Sequence, residues 1–523
     1  MNKVRTAAEA VQLIGSGAMV AVNASSGLLC PDAVLRALGE RFLAEGAPKD
    51  LTTIHPIAAG DMFGTPGVDH IAHKGMIRRI IGGSYPSGPS NAEPPLIWQR
   101  ILAEDLAAYN FPSGVIFDML RDGAAQRAGV LTKVGMETFV DPDLEGGAMN
   151  ATARATPLVR RVDFDGEDWL HFPALRPDVA IIRATTADEN GNLTFEHEAA
   201  TLGAMEMALA ARGAGGIIIA QVKRVAARGT LGPHDVKVPG ILVDVIVEAP
   251  DQLQTTATQY DPAISGEIFR PLSSFRLPEF GIGKVIARRV AQELKSGQAV
   301  NLGFGISANV PRILMEEGLH GAVTWVIEQG PVGGVPLLDF KFGCASNAEA
   351  FVASPHQFIY FQSAGFDCSL LSFLEIDADG SVNVSRLAAT PHRTAGAGGF
   401  VDITARARRI VFSGNFNAGA KMRIEEGRLV IDREGKIAKI VPKVDQVSFS
   451  GRRARAQSQQ VTYVTERCVL QLEPAGLTVT EIAPGVDLRR DILDQTDVAL
   501  HVSPDLRLMD AALFQPGLFG LRL

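Results

Sequence analysis

The sequence predicts an α/β protein made of two similar open α/β halves joined by a linker, with a β-rich C-terminal portion. Three observations predict it. Helix-period, strand-like and small-residue segments alternate in the order helix, turn, strand, loop, helix. The same order of signals returns 280 positions later: Ser16-Gly17 is answered by Ser296-Gly297, Val20 by Val300 and Pro31 by Pro311. A second echo links the polar Asx-Gly turn from Asp188 to Leu193 with that from Asp377 to Val382. The period is too long for a solenoid and fits an internal duplication.

Taken in order, Ala7 to Gly15 carries helical spacing of its apolar residues and closes on Gly15. Met19 to Asn23 reads as a strand and Ala24-Ser25-Ser26-Gly27 as a small-residue loop. Pro31 starts a helix, in whose first turn its missing N–H costs nothing. Gly213 to Gly216 turns the chain into a buried strand running to Val222. Because Gly215-Gly216 precedes that strand, it is not a dinucleotide-binding fingerprint. The strand-like Gly240 to Val247 closes the first half, and a helix from Ile282 opens the second. Asp251 to Pro278, rich in Gln, Thr, Ser and Pro, reads as a linker or crossing arm. The expected division is 1–250, 251–278 and 279–523. After residue 405 the chain becomes β-rich, with short strands at Arg409 to Gly414 and Arg428 to Asp432, and one more from Gln460 to Leu472.

Composition narrows the function. A chain of 523 residues with a formal charge of −8 and no long basic block lacks a nucleic-acid footprint. The four cysteines, Cys30, Cys344, Cys368 and Cys468, form no CxxC pair and are too sparse for a disulfide framework. His70 and His73 stand without the Cys or carboxylate set of a metal site, so no metal is expected. The N-terminal Met1 to Arg5 leads into an amphipathic helix rather than a signal segment, and no apolar run reaches a membrane span. A cytoplasmic location is expected. Neither a GxSxG elbow nor a phosphate-binding GxxxxGK[ST] loop occurs.

What stands out is Thr324 to Pro336. An apolar run from Ala322 to Ile327 stops at Glu328, and Gly330, Pro331, Gly333 and Gly334 follow. A buried strand ending so places its last side chain at the sheet rim, where α/β proteins bind ligands. Gly303 and Gly305, and Gly398 and Gly399 ahead of Phe400, supply two further glycine-rich loops. Such loops let backbone N–H groups face an anion or oxyanion. A carboxylate among oxyanion donors can act as a nucleophile on an activated acyl carbon. The competing carboxylate, Glu189, sits in Asp188-Glu189-Asn190-Gly191-Asn192 and reads as a solvated turn residue.

These segments together resemble family I coenzyme A transferases, of the fused-chain acetate/propionate or 3-oxoacid type, across nearly the whole chain. The first half carries Ile77 to Gly83, Leu120 to Gly123, Leu131 to Pro142 and Val236 to Gly240. The second carries Glu328-Gln329-Gly330 with Gly333 to Pro336, Gly398 to Ile403, Thr465-Glu466-Arg467 and Thr480 to Leu488. The resemblance implies that Glu328 is the nucleophile and that Gly399 and Phe400, shaped by Gly398, bind the thioester oxygen. It implies loops at Gly303, Gly305, Gly330, Gly333 and Gly334 around substrate. It also implies coenzyme A as co-substrate with no tightly bound cofactor, an acyl-CoA and a small carboxylic acid as partners, and a homo-oligomer. The acyl side falls to residues 1–250. Three first-half segments depart from the family pattern: Ser113, a shorter side chain in the oxyanion-holding place where a Gln is common, Gly27-Leu28-Leu29-Cys30-Pro31, and Ser84 to Pro89. Substrate choice is therefore expected to differ from acetate or propionate. A thioester hydrolase using Glu328 and a catalytically silent acyl-CoA-binding protein remain as other readings.

Overall fold

Val179–Asp188 is buried at every position, as a strand covered on both faces must be. It lies inside a parallel sheet. The structure, a computed structural model, describes residues 2–61, 63–87 and 93–523. Gly88 and Pro89 of the departing segment fall outside these residues.

In the first sheet the strands run in the order Val4–Arg5, Val245–Glu248, Ile217–Ala226, Val179–Asp188, Met19–Val22, Leu51–His55, Ile77–Gly82 and Ala107–Asn110. All these neighbours are parallel, and Leu193–Thr194 adds an antiparallel strand to Val179–Asp188. The second sheet is parallel at its centre: Thr324–Val326, Ala299–Leu302, Cys368–Ser372, Arg409–Ser413 and Gln460–Val464. Pro331–Val332 and Ala350–Phe351 extend one edge antiparallel. Cys468–Glu473, Gly476–Ile482 and His501–Leu508 extend the other, which is the β-rich C-terminal portion.

The five central strands of the second sheet follow the same order and direction as Leu51–His55, Met19–Val22, Val179–Asp188, Ile217–Ala226 and Val245–Glu248 of the first. The likeness reaches single bonds. Asp178 Oδ2 accepts from Met19 N, and Asp367 Oδ2 accepts from Ala299 N, each at 2.8 Å. Val20 lies opposite Val179, and its counterpart Val300 lies opposite Cys368. Both Asx-Gly turns form alike. Asp188 Oδ1 accepts from the N–H groups of Asn190 and Asn192, and Asp377 Oδ1 from those of Asp379 and Ser381. Gly191 and Gly380 take the positive φ these turns require, 93° and 78°. Glu189 is exposed in its turn.

Some elements differ from the sequence reading. The first helix is only Ala7–Val11, held by a Thr6/Glu9 capping box. Gln460 to Leu472 is two antiparallel strands, Gln460–Val464 and Cys468–Glu473, because the chain reverses at Thr465-Glu466-Arg467. That turn is fully buried. Arg467 pairs with Glu434 and Glu466, and Thr465 Oγ1 bonds back to Cys468 O. The segment after Asp251, read as a linker or crossing arm, is packed against its surroundings. Gln254 donates to His197 O at 2.8 Å, Thr256 Oγ1 donates to Asp61, and Asn347 accepts from Arg270 N at 2.7 Å. These bonds tie it to both halves of the chain.

One apolar cluster runs through both halves, and Phe117 of the first half meets Phe358 of the second at 6.0 Å between ring centroids. The four cysteines are buried and unpaired. Among the described residues no helix is long and apolar enough to cross a membrane, and no group of three or more His, Cys, Asp or Glu is placed to hold a metal ion.

Candidate active site

Glu328 lies at the C-terminal rim of the second sheet, on the tip of a tight hairpin. Thr324–Val326 and Pro331–Val332 pair antiparallel through Val326 and Val332. Ile327 N donates to Pro331 O and Gly330 N to Ile327 O, each at 3.0 Å. Gly330 closes the turn at φ 139°. The helix Ser354–Gln362 braces the tip from below: Ser354 Oγ donates to Gln329 O at 3.0 Å, and Gln357 Nε2 donates to Ile327 O at 3.2 Å.

The Glu328 carboxyl has no ion-pair partner among the described residues. Its Oε1 accepts from Gln329 Nε2 at 3.0 Å, and the same amide reaches Ser25 Oγ of the first half at 3.4 Å. The residue keeps partial solvent access. Even so, burial of the carboxyl pushes its pKa up to about 7, against the lowering pull of the Gln329 amide and the Gly399 backbone N–H. A nucleophilic carboxylate gains from such a setting, since half of it is ionised at neutral pH and the ionised form is poorly solvated.

Gly399 is the backbone that the structure packs against the Glu328 carboxyl. A Cβ at this position would overlap Glu328 Oε2 and stand 2.6 Å from the Phe358 ring. A side chain here crowds both. Phe400, expected as a second donor, spends its N–H on Ala397 O at 3.0 Å while its side chain is buried. Gly398, at φ 55°, is a bridge between the halves: its N–H donates to Gly83 O at 2.7 Å and its carbonyl accepts from Ser113 N at 3.0 Å. Ser113 therefore holds the loop through its backbone. Its hydroxyl is fully buried and has no hydrogen-bond partner.

The remaining glycines approach protein rather than open space. Gly303, Gly330 and Gly333 already donate to Leu370 O, Ile327 O and Trp325 O. Gly305 abuts Ser372, and Gly334 abuts the Ser346–Asn347 backbone. Gly333 and Gly334, at φ 73° and 70°, turn the hairpin into its next short strand.

The loop that carries Gly399 is docked on the first half along its whole length. Tyr85 N donates to Ala395 O at 2.6 Å, and Ala397 N donates to Asn110 Oδ1 at 2.9 Å. Asn110 Nδ2 in turn donates to Gly82 O and Gly83 O. Gly114 N, at the start of helix Ser113–Ala124, donates to Asp402 Oδ2 at 2.9 Å. Asn110, Gln357, Gln362 and Asp402 were not singled out by sequence reasoning. Polar residues beside a predicted rim strand or glycine loop were the available signal.

A strand-end carboxyl without an ion-pair partner among the described residues thus stands at the seam between the two halves, against Gly399. Residues 4–249 match the family model described as coenzyme A transferase. Over its full length the chain is 40% identical to the caffeate CoA-transferase of Acetobacterium woodii, covering 99% of that protein. The chain belongs to the coenzyme A transferase family. It is also 35% identical to the acetate CoA-transferase YdiF of Escherichia coli (strain K12), over 99% of this chain and 96% of the other. The crystal structure of the E. coli O157:H7 acyl-CoA transferase YdiF as a thioester complex with CoA superimposes with a TM-score of 0.91. It is 33% identical, with 100% of this chain and 98% of the other covered. This CoA-transferase thus carries both halves of the fold on one chain.

Proposed function

We propose that this enzyme moves CoA between two carboxylic acids by a ping-pong reaction through a thioester on Glu328. A Glu328 oxygen attacks the acyl-CoA carbonyl carbon. The C–S bond breaks, and CoA leaves as thiolate from an acyl-glutamyl anhydride. The thiolate sulfur then attacks the Glu328 carboxyl carbon, the acid departs as carboxylate, and Glu328 is left as the CoA thioester. A second acid reverses both steps. No proton or electron is gained or lost overall, and thioester energy is kept throughout. Each tetrahedral state carries a negative oxygen, for which a preorganised N–H donor is worth on the order of 3 kcal/mol.

The observation that supports this reading best is the contact of Gly399 with an unpaired, desolvated Glu328 carboxyl. For the acyl group, the loop from Asn23 to Leu29 that meets Gln329 carries no charge. The buried Arg183 behind it is taken by Glu198 and by the Cys30 carbonyl. Among the described residues a second carboxylate on the acyl chain would find no free cation on that loop, which favours monocarboxylic acids. Short-chain acids and caffeate, the acid in the name of the A. woodii relative, are the first to test.

Incubation with acyl-CoA, followed by borohydride reduction and peptide mass analysis, is expected to mark Glu328. CoA exchange is expected to need an acceptor acid and to vanish in Glu328→Ala. Unimpaired exchange in that variant would refute the mechanism. CoA release without an acceptor would identify a hydrolase instead.

A further inference from the structure

Asp402 is fully buried, one helical turn beyond Gly399. Each of its oxygens has one donor. Oδ2 accepts from Gly114 N of the first half, and Oδ1 accepts from Gln362 Nε2 of the second, both at 2.9 Å. We propose that Asp402 is a positioning residue for the Glu328 reaction, a carboxyl group that spans the seam and fixes where the Gly399 N–H stands. This rests on the mechanism proposed above.

The lever is short and stiff. Ile403 N donates to Gly399 O at 3.0 Å, so the first turn of helix Phe400–Arg406 moves as one piece with Gly399. The neighbours of that turn form a closed ring. A Cβ on Gly114 would stand 2.7 Å from Phe358 Cβ, and one on Gly399 would meet the Phe358 ring and Glu328. Gly114, Phe358, Gly399 and Glu328 are thus in contiguous contact, and Asp402 with Gln362 closes the circuit. Displacement of the Asp402 end shifts Gly399 relative to the Glu328 carboxyl it touches. A misplacement of about 1 Å in such a site costs on the order of a hundredfold in rate.

A carboxyl suits this place because two N–H groups from different halves must both find acceptors. An amide supplies one acceptor, and Gln362 would then have to turn its own amide over to match. The acidic groups facing Asp402 are Asp118 on helix Ser113–Ala124 and Glu328 on the hairpin. Arg121 lies beyond Asp118. Nothing cationic contacts Asp402 itself among the described residues. Its role is therefore to join the halves by hydrogen bonds rather than by an ion pair.

The test uses the full-length enzyme and two variants, Asp402→Leu and Asp402→Asn. The rate of covalent CoA attachment to Glu328 is followed by mass spectrometry, beside steady-state kcat and KM for acyl-CoA. Asp402→Leu is expected to slow attachment and kcat by on the order of a hundredfold, with KM changed less than threefold. Asp402→Asn, which can keep both contacts once Gln362 turns, is expected to recover at least a tenth of the wild-type rate. Wild-type attachment rates in Asp402→Leu would overturn the proposal, and so would equal losses in the two variants that track loss of thermal stability. If the wild-type enzyme itself forms no adduct on Glu328, the mechanism falls and this role with it. Should Asp402→Leu fail to fold, Gln362→Leu removes one of the two contacts and is held to the same criteria.

Discussion

Gly399 stands so close to Glu328 that a single methyl group on its α-carbon would overlap the carboxylate oxygen. The second obstacle is the Phe358 ring, which is fully buried and has little room to retreat. Gly399→Ala is expected to leave the fold intact and to lower CoA-exchange kcat by on the order of a hundredfold. Circular dichroism alongside the exchange assay checks it. Activity within threefold of wild type would mean that Glu328 has another resting place.

The Glu328 carboxyl, raised by burial from its ordinary 4.5 to about 7, sets a pH dependence. Only the carboxylate attacks, so kcat/KM is expected to rise with pH and level off above about 7. Stability runs the other way. Between 4.5 and 7 the folded protein holds a proton that the unfolded chain has lost, so this group's stabilising contribution is complete below 4.5 and is gone above 7. Glu328→Gln, permanently neutral, is expected to unfold at a temperature higher than wild type by on the order of 2 °C at pH 8 and to match it near pH 4. Thermal scans across that range are the measurement.

Much of this was legible in the sequence where the signal is local. Val20 and Val300 could be paired because each follows a Ser-Gly turn in a strand of the same register. Glu328 could be singled out because an apolar run ends on it. Contacts across the seam left no such mark. Gly114 and Asp402 are 288 residues apart, and nothing in the periodicity around either announces the other. The turn inside Gln460 to Leu472 was hidden for a related reason. Thr465-Glu466-Arg467 breaks no alternation, and it is the distant Glu434 that lets Arg467 be buried there. The packing of the segment after Asp251 left no local mark either, because its anchors, Asp61 and Asn347, lie in other parts of the chain.

Behind the Asn23–Leu29 loop, Arg183 and Glu198 form a buried ion pair at 3.0 Å. Burial raises the Glu198 pKa and the Arg183 charge lowers it. Removing the cation alone strands the carboxylate, which typically costs about 3–5 kcal/mol. Arg183→Met is therefore expected to unfold at markedly lower denaturant than wild type, and Arg183→Met combined with Glu198→Gln to recover most of the loss. A double variant no more stable than the single one would show that the carbonyls of Cys30 and Gln254, and not Glu198, carry the arginine's contribution.

Asn110 connects the first half's rim to the Gly399 loop with both ends of one amide. Its oxygen accepts from Ala397 N at 2.9 Å, and its nitrogen donates to Gly82 O at 3.1 Å and Gly83 O at 2.6 Å. The two carbonyls have other donors, Phe111 N and Gly398 N, but Ala397 N has none. Asn110→Leu thus orphans one buried N–H, a cost of about 1–3 kcal/mol, and frees the loop. Its kcat is expected to fall on the order of tenfold, and proteolysis near Thr394 to Gly399 to speed up. Asn110→Asp separates the two ends. It keeps the acceptor for Ala397, but its second oxygen faces two carbonyl oxygens. Protonated, that oxygen can donate to Gly83; ionised, it is repelled. Asn110→Asp is therefore expected to resemble wild type at low pH and to lose activity as pH rises, opposite in direction to the Glu328 limb. Comparing the ratio of variant to wild-type kcat across pH isolates the effect, and a flat ratio would show that the Ala397 contact alone matters.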